Sequence, residues 1–330
     1  MQTNSAVKVG FIGLGNVGSK LCGTLLRNSF DLTVLDLDED LVADFVSRGA
    51  KAATSPKELA LAVDIIITCL PSPAACATVM EAPDGIIAGL AEQDATGKTW
   101  LEMSTTDEAE VRRLGEKVQR TGATALDSPV SGGCHRAATG NIAIFAGGDR
   151  VGFEHVLPVL STMGRRVLHT GELGSASILK VLTNYLATAH LAALSEALVV
   201  AKKIGMDMNV TYEAIKASSG NSFVHETESQ VILNGSRDIN FTMDLVLKDI
   251  GIFDQLAQRN DVPLDISPLL VKIFEDGIEK YGPRELSPNI IRRLEDACQV
   301  KVLGRGFPAE MTDDEPEEVG AEVSIPGRQF

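Results

Sequence analysis

The run VKVGFIGLGNVG, Val7 to Gly18, decides how this 330-residue chain is read. Val7 to Ile12 is a short apolar strand, and the segment after Gly18, SKLCGTLLRNS, has the composition of a helix. Between them the glycines stand as G-x-G-x-x-G in the context of strand, tight turn and helix. Gly13 permits the turn, Gly15 lets backbone approach a pyrophosphate, and Gly18 allows close helix–strand packing. Asn16 and Val17 lead into the helix, whose N-terminus offers unpaired N–H groups and a positive dipole end to phosphates. Glycines recur in many turns, but here a second strand, Leu32 to Asp36, follows and ends in an acid eighteen residues after Gly18. A carboxylate at that position accepts hydrogen bonds from an adenosine ribose. Leu37, Asp38, Glu39 and Asp40 place no Arg or Lys where a 2′-phosphate would lie, which favours NAD over NADP. Asp38 to Asp40 are equally read as the cap and first-turn charge of the next helix.

The alternation of strand and helix continues. Ser55-Pro-Lys-Glu58 has the form of a capping box with proline at the first helical position. Asp64–Leu70 and Lys98–Met103 read as buried parallel strands, with shorter strands at 123–126, 142–145 and 166–169. This pattern predicts an α/β Rossmann domain over 1–170, its parallel-rich sheet covered by helices on both faces. Ligands on such sheets bind beyond the carboxyl ends of the strands. Leu70, Pro71 and Thr105 fall at such ends, where they are either cofactor contacts or ordinary turns.

Asp127-Ser-Pro-Val-Ser131-Gly132-Gly133 follows the next strand. A hydroxyl beside two glycines with exposed N–H groups suits a carboxylate, although a glycine-rich turn alone explains the composition. His135 and Arg136 come directly after; they either read a second anionic group or are solvated surface charge. From Gly174 the pattern changes to helix after helix, at 175–204 and about 211–218, 244–260, 266–281 and 288–299. The first is a long bridging helix that carries Lys180 and Asn184 on one face, one turn apart. Ile178, Leu179, Val181 and Leu182 surround Lys180 with hydrocarbon, a setting that lowers a Lys pKa and suits proton exchange. A Lys that snorkels from a core helix to the surface is the plainer alternative. An all-α domain is thus predicted over 171–303, and an acidic irregular tail over 304–330.

The net charge of −15 argues against nucleic acid or an anionic membrane as partner. Five scattered cysteines share no metal-ligand spacing, so no metal site is predicted, and reduced thiols fit a cytoplasmic location. No signal peptide is expected ahead of the first strand. The apolar run 176–201 contains Lys180, Asn184, His190 and Glu196, and reads as a helix inside protein rather than a membrane span.

Four stretches together resemble the β-hydroxyacid dehydrogenase family: Gly10–Gly18, Asp127–Gly133, Gly174–Asn184 and Leu247-Lys248-Asp249. The likeness runs from about residue 7 to 300 in the family's order. It implies that Ser131, Gly132 and Gly133 bind the substrate carboxylate, Lys180 is catalytic, and Asn184 orients substrate. It further implies that Lys248 lies near cofactor and substrate, and that Leu70, Pro71 and Thr105 face the nicotinamide. Ala176 stands where the family has a second glycine before the Lys, which is expected to shift the helix slightly against the cofactor. Cys134-His135-Arg136 also departs from the small residues usual after the two glycines.

The expected function is NAD-dependent hydride transfer with a 3-hydroxy acid of the 3-hydroxyisobutyrate kind, Lys180 acting as general acid and base. The alternatives are reduction of a small or dianionic semialdehyde, such as tartronate semialdehyde or sulfolactaldehyde, and a noncatalytic NAD-binding oligomer. Imine-reducing relatives usually replace the Lys that is present here. The resemblance also implies a homodimer or homotetramer.

Overall fold

The computed structural model describes residues 7–327. The six residues on which the expectation of no signal peptide bears, and the last three, lie outside that range. Two compact units result: residues 1–180 with 313–330, and residues 181–312. The division falls inside the long helix, ten residues beyond the expected boundary at 170. The end of the acidic tail joins the first unit rather than standing apart.

The first unit alternates β1 (Lys8–Ile12), α1 (Gly18–Arg27), β2 (Asp31–Leu35), α2 (Glu39–Ser47), β3 (Lys51–Ala52), α3 (Pro56–Ala62) and β4 (Ile65–Thr68). Helices α4 (Pro73–Glu81) and α5 (Ile86–Ala91) lead to β5 (Thr99–Glu102), α6 (Glu108–Gln119) and β6 (Thr124–Asp127). Then come β7 (Val130–Ser131), α7 (Gly133–Thr139), β8 (Ile142–Gly147), α8 (Arg150–Met163) and β9 (Gly164–Gly171). The sheet order is β10-β9-β8-β6-β5-β4-β1-β2-β3, where β10 is Ala321–Glu322 of the tail. Pairing is parallel except where β6 and β7 meet β8 antiparallel.

Alternation along the strands builds two cores, because successive side chains point to opposite faces. Val9, Phe11, Ile65, Ile67, Leu101 and Leu126 join one cluster, while Ile12, Ile66, Trp100 and Ala125 join the other. The register aligns Leu35, Ile12, Thr68, Glu102 and Asp127 in one row, so five strands end together. The turns that follow this row carry the candidate site.

Helix α9 (Ser175–Lys203) begins in the first unit and continues into the second, ending before Gly205 at φ +85°. The second unit holds α10 (Met208–Lys216), α11 (Phe223–Asn234), α12 (Met243–Arg259), α13 (Ser267–Tyr281) and α14 (Arg292–Cys298). The last of these follows a 3₁₀ turn over Ser287–Ile291, so the helix expected at 288–299 is two pieces. Its core contains Leu194, Leu198, Ile232, Met243, Ile250 and Phe274. Helix α11 was not foreseen, since its sequence, FVHETESQVILN, has only a weak apolar stripe. The Ser222 side chain caps its start and Gly235 its end.

Candidate active site

The glycine turn fits a dinucleotide for steric reasons. A side chain at Gly13 (φ +100°) would place Cβ 2.2 Å from the Cys69 carbonyl oxygen, and one at Gly18 would lie 2.0 Å from that of Gly13. At Gly15 a Cβ would meet nothing within 4 Å, so its absence opens an approach rather than closing a contact. No side chain caps the start of α1, and its first turn holds no carboxylate. That terminus is left to an anion. Asn16 and Val17 stand directly before it.

Asp36 is fixed from both sides: Leu14 N–H donates to Oδ2 at 2.5 Å and Asp38 N–H to Oδ1 at 2.9 Å. Each oxygen retains capacity for a further donor such as a ribose hydroxyl. Asp38 in turn caps α2 through Asp40 and Leu41, so the capping role of these acids coexists with the role of Asp36. Leu37 is 102% exposed beside it, an apolar side chain with no neighbouring surface to cover. No residue of this turn favours a 2′-phosphate.

Glu102 organises the next two turns. Thr68 Oγ1 donates to its Oε2 at 2.8 Å, the Cys76 thiol to the same oxygen at 2.6 Å, and Ser104 N–H to Oε1 at 2.7 Å. Trp100 Nε1 donates to Thr68 Oγ1, and Leu70 N–H to Ser104 Oγ, at 2.9 and 2.8 Å. The predicted nicotinamide-side residues Leu70, Pro71 and Thr105 thus sit on turns tied to one fully buried carboxyl group. Burial pushes the Glu102 carboxyl above its ordinary value, with the thiol and hydroxyl donors opposing.

Asp127 does the same for α9. Its Oδ1 accepts from Gly174 N–H at 2.8 Å and its Oδ2 from Ser177 N–H at 2.6 Å, pinning the first turn of the helix that carries Lys180. Burial raises this carboxyl too, against the two backbone donors. A Cβ on Gly147 would lie 2.4 Å from Asp127 Oδ1, so glycine there leaves room for the pin. Ala176 is fully buried in that turn, beside the pinned residues.

Ser131 ends β7 opposite Ala143, and Gly132 and Gly133 follow with φ +133° and +87°, conformations that favour glycine. Arg136 packs on this turn: its Cδ lies 3.4 Å from where a Gly132 Cβ would be. Its Nη2 reaches Glu315 Oε1 of the tail at 3.3 Å. Burial lowers the His135 pKa, Arg136 lowers it further, and Asp313 opposes both.

In the second unit Asn184 and Lys248 converge on Asp249, which is buried. Asn184 Nδ2 donates to Asp249 Oδ2 at 2.5 Å, leaving its own carbonyl oxygen to accept elsewhere. Lys248 Nζ lies 3.0 Å from Asp249 Oδ1 as an ion pair. Tyr185 stacks on Phe253 with centroids 4.1 Å apart, which fixes the helix turn around Asn184.

Glu102, Asp127 and Asp249 were given no role on sequence grounds. The first two carried a signal: like Asp36, each is an acid at the carboxyl end of an apolar strand. Asp249 carried none beyond its place next to Lys248.

Two family models cover most of the chain: the NAD binding domain of 6-phosphogluconate dehydrogenase over residues 8–171, and the NAD-binding domain of NADP-dependent 3-hydroxyisobutyrate dehydrogenase over 174–294. The chain is 32% identical to 2-(hydroxymethyl)glutarate dehydrogenase of Eubacterium barkeri, across 91% of this chain and 98% of the relative. It is 29% identical to NAD-dependent L-serine dehydrogenase of Pseudomonas aeruginosa, across 88% and 99%. The solved 3-hydroxyisobutyrate dehydrogenase of Salmonella typhimurium superposes with a TM-score of 0.78 at 26% identity, covering 87% of this chain and 99% of its own. The chain therefore belongs to the β-hydroxyacid dehydrogenase family, NAD-dependent oxidoreductases acting on the CH–OH group of 3-hydroxy acids.

Proposed function

We propose that this enzyme oxidises a compact 3-hydroxy acid of the 3-hydroxyisobutyrate kind, with Lys180 exchanging the hydroxyl proton. The observation that carries this reading is the pin of Asp127 on Gly174 and Ser177, which gives Lys180 a fixed place on α9. An acid–base group must be positioned before it can act. Bound NAD supplies the hydride acceptor. Gly13, Gly15, Asn16, Val17, Gly18 and Asp36 hold its adenosine diphosphate half, and Leu70, Pro71 and Thr105 line its nicotinamide end.

Ser131, Gly132 and Gly133 take the substrate carboxylate through hydroxyl and backbone N–H groups. Lys180 receives the proton from the substrate hydroxyl in oxidation and returns it in reduction. In the second unit, Asn184 anchored by Asp249 is the substrate-orienting group and Lys248 the cation beside it that the family resemblance implies. The relatives act on acids with one carboxylate, such as L-serine, and with two, as 2-(hydroxymethyl)glutarate has. Reduction of a semialdehyde is the same chemistry run in reverse.

Exposed Val200, Ile204, Met206 and Val210 cluster where α9 ends and α10 begins, and support a homodimer or homotetramer joined through the helical unit. Five free thiols support a cytoplasmic location.

The test is Lys180→Ala, assayed with NAD⁺ and NADP⁺ over a panel of 3-hydroxy acids. Turnover falls by about 10²- to 10⁴-fold while NADH binding, followed by fluorescence, is retained. Near-normal turnover in that variant removes Lys180 from the mechanism.

A further inference from the structure

We infer that Glu315, on the C-terminal arm, is a specificity-determining residue: it engages Arg136, the cation packed on the Ser131–Gly133 turn, and biases the site toward substrates with a single carboxylate. The inference rests on the proposed role of that turn in binding the substrate carboxylate. A second carboxylate on the substrate needs a cation near the first, and Arg136 has the planar donor fork for it. Here a carboxylate of the protein is already on that fork.

An exposed ion pair contributes little when both side chains are mobile. Glu315 differs because its backbone is held on both sides. On one side Asp313 accepts from Thr139 Oγ1 and, at 2.7 Å, from Asn141 Nδ2, which also donates to the Glu315 carbonyl at 2.9 Å. On the other, β10 adds to the sheet edge beside β9, with Gly320 N–H on Ser161 O at 2.7 Å and Glu322 bidentate on Arg150 at 2.6 and 2.8 Å. Glu317 clasps Arg27 of α1 between them. A carboxylate tethered this way acts at a high effective concentration. A dianionic substrate must displace it and also enter the field of Asp313 and Glu317, within a Debye length of α7. The arm lies beyond both family models, the second of which ends at residue 294.

The experiment compares kcat/KM for 3-hydroxyisobutyrate and 2-(hydroxymethyl)glutarate in the full-length enzyme with NAD⁺. Wild type favours the monocarboxylate. Glu315→Gln moves the ratio about fivefold toward the dicarboxylate. Glu315→Asp, which keeps the charge, retains most of the wild-type ratio, and the double variant Glu315→Gln/Arg136→Ala returns to it. An unchanged ratio in Glu315→Gln, with its thermal transition intact, overturns the inference, as does a gain that persists without Arg136. A wild type that prefers the dicarboxylate overturns the role of the arm and leaves the dehydrogenase assignment standing. Turnover of neither acid removes the proposed substrate class itself, and the inference with it.

Discussion

Two sets of carboxylates in the first unit carry the same charge and do opposite things. Glu102 and Asp127 are fully buried at strand ends, and their oxygens are taken by backbone N–H, hydroxyl and thiol donors. The arm acids lie at the surface, most of them against arginines. Burying a carboxylate costs several kcal/mol unless hydrogen bonds offset it, so the buried pair persists only where it organises backbone that has no other partner. The exposed set is cheap to keep and individually weak. One set fixes the backbone of the candidate-site turns, and the other ties the arm to arginines of α1, α7, α8 and β9.

The pair of regions also differs in the sign of its response to pH. Burial raises Glu102 and Asp127, so protons bind the folded state more tightly. Their contribution to stability is complete below the ordinary carboxylate range and declines as pH rises through the folded values. Asp313 goes the other way. Burial works upward on it, but the hydrogen bonds of Thr139 and Asn141 prevail and hold it below 3.8. Its contribution is present above that value and is lost as pH falls through the folded one.

The largest break in this contrast comes from Asp127→Ala, which strands two buried N–H groups. Stability falls by about 3 kcal/mol, seen as a drop in Tm of roughly 4–5 °C, and kcat falls while NADH affinity is kept. An unchanged Tm would mean the pin contributes nothing. Next in size is Glu102→Gln, which costs about 1–2 kcal/mol. Because the amide does not titrate, the wild-type decline in Tm above the ordinary carboxylate range is shallower in the variant; parallel curves would show that Glu102 is not a titrating group. The smallest effect is Arg150→Ala in α8, which releases Glu322 of the arm, about 1 kcal/mol at low salt. That loss shrinks in 0.5 M KCl, whereas the loss in Asp127→Ala does not, since buried groups are poorly screened.

Much of the candidate site's local backbone was legible in the chain before folding. The glycine turn and Asp36 are local, because strand, turn and helix follow one another and the spacing itself sets the geometry. Ser131 to Gly133 and the position of Lys180 on a helix were legible for the same reason. The anchors were not. Asp127 meets Gly174 across 47 residues and Asn184 meets Asp249 across 65, distances over which no periodicity informs. Arg136 was readable as a cation after the turn but not as the partner of Glu315, 179 residues on. The tail offered no hydrophobic pattern at all, because a two-residue edge strand held by arginines needs none.

The sequence by itself determined the α/β class, the nucleotide turn, the choice of NAD through Asp36 and the residue types of the chemistry, since each follows from contacts within a few residues. Only the tertiary structure decided which carboxylates hold those parts still and that the acidic arm returns to the sheet. Those outcomes depend on which strand ends share a row and which charges meet across it, and chain proximity does not encode that.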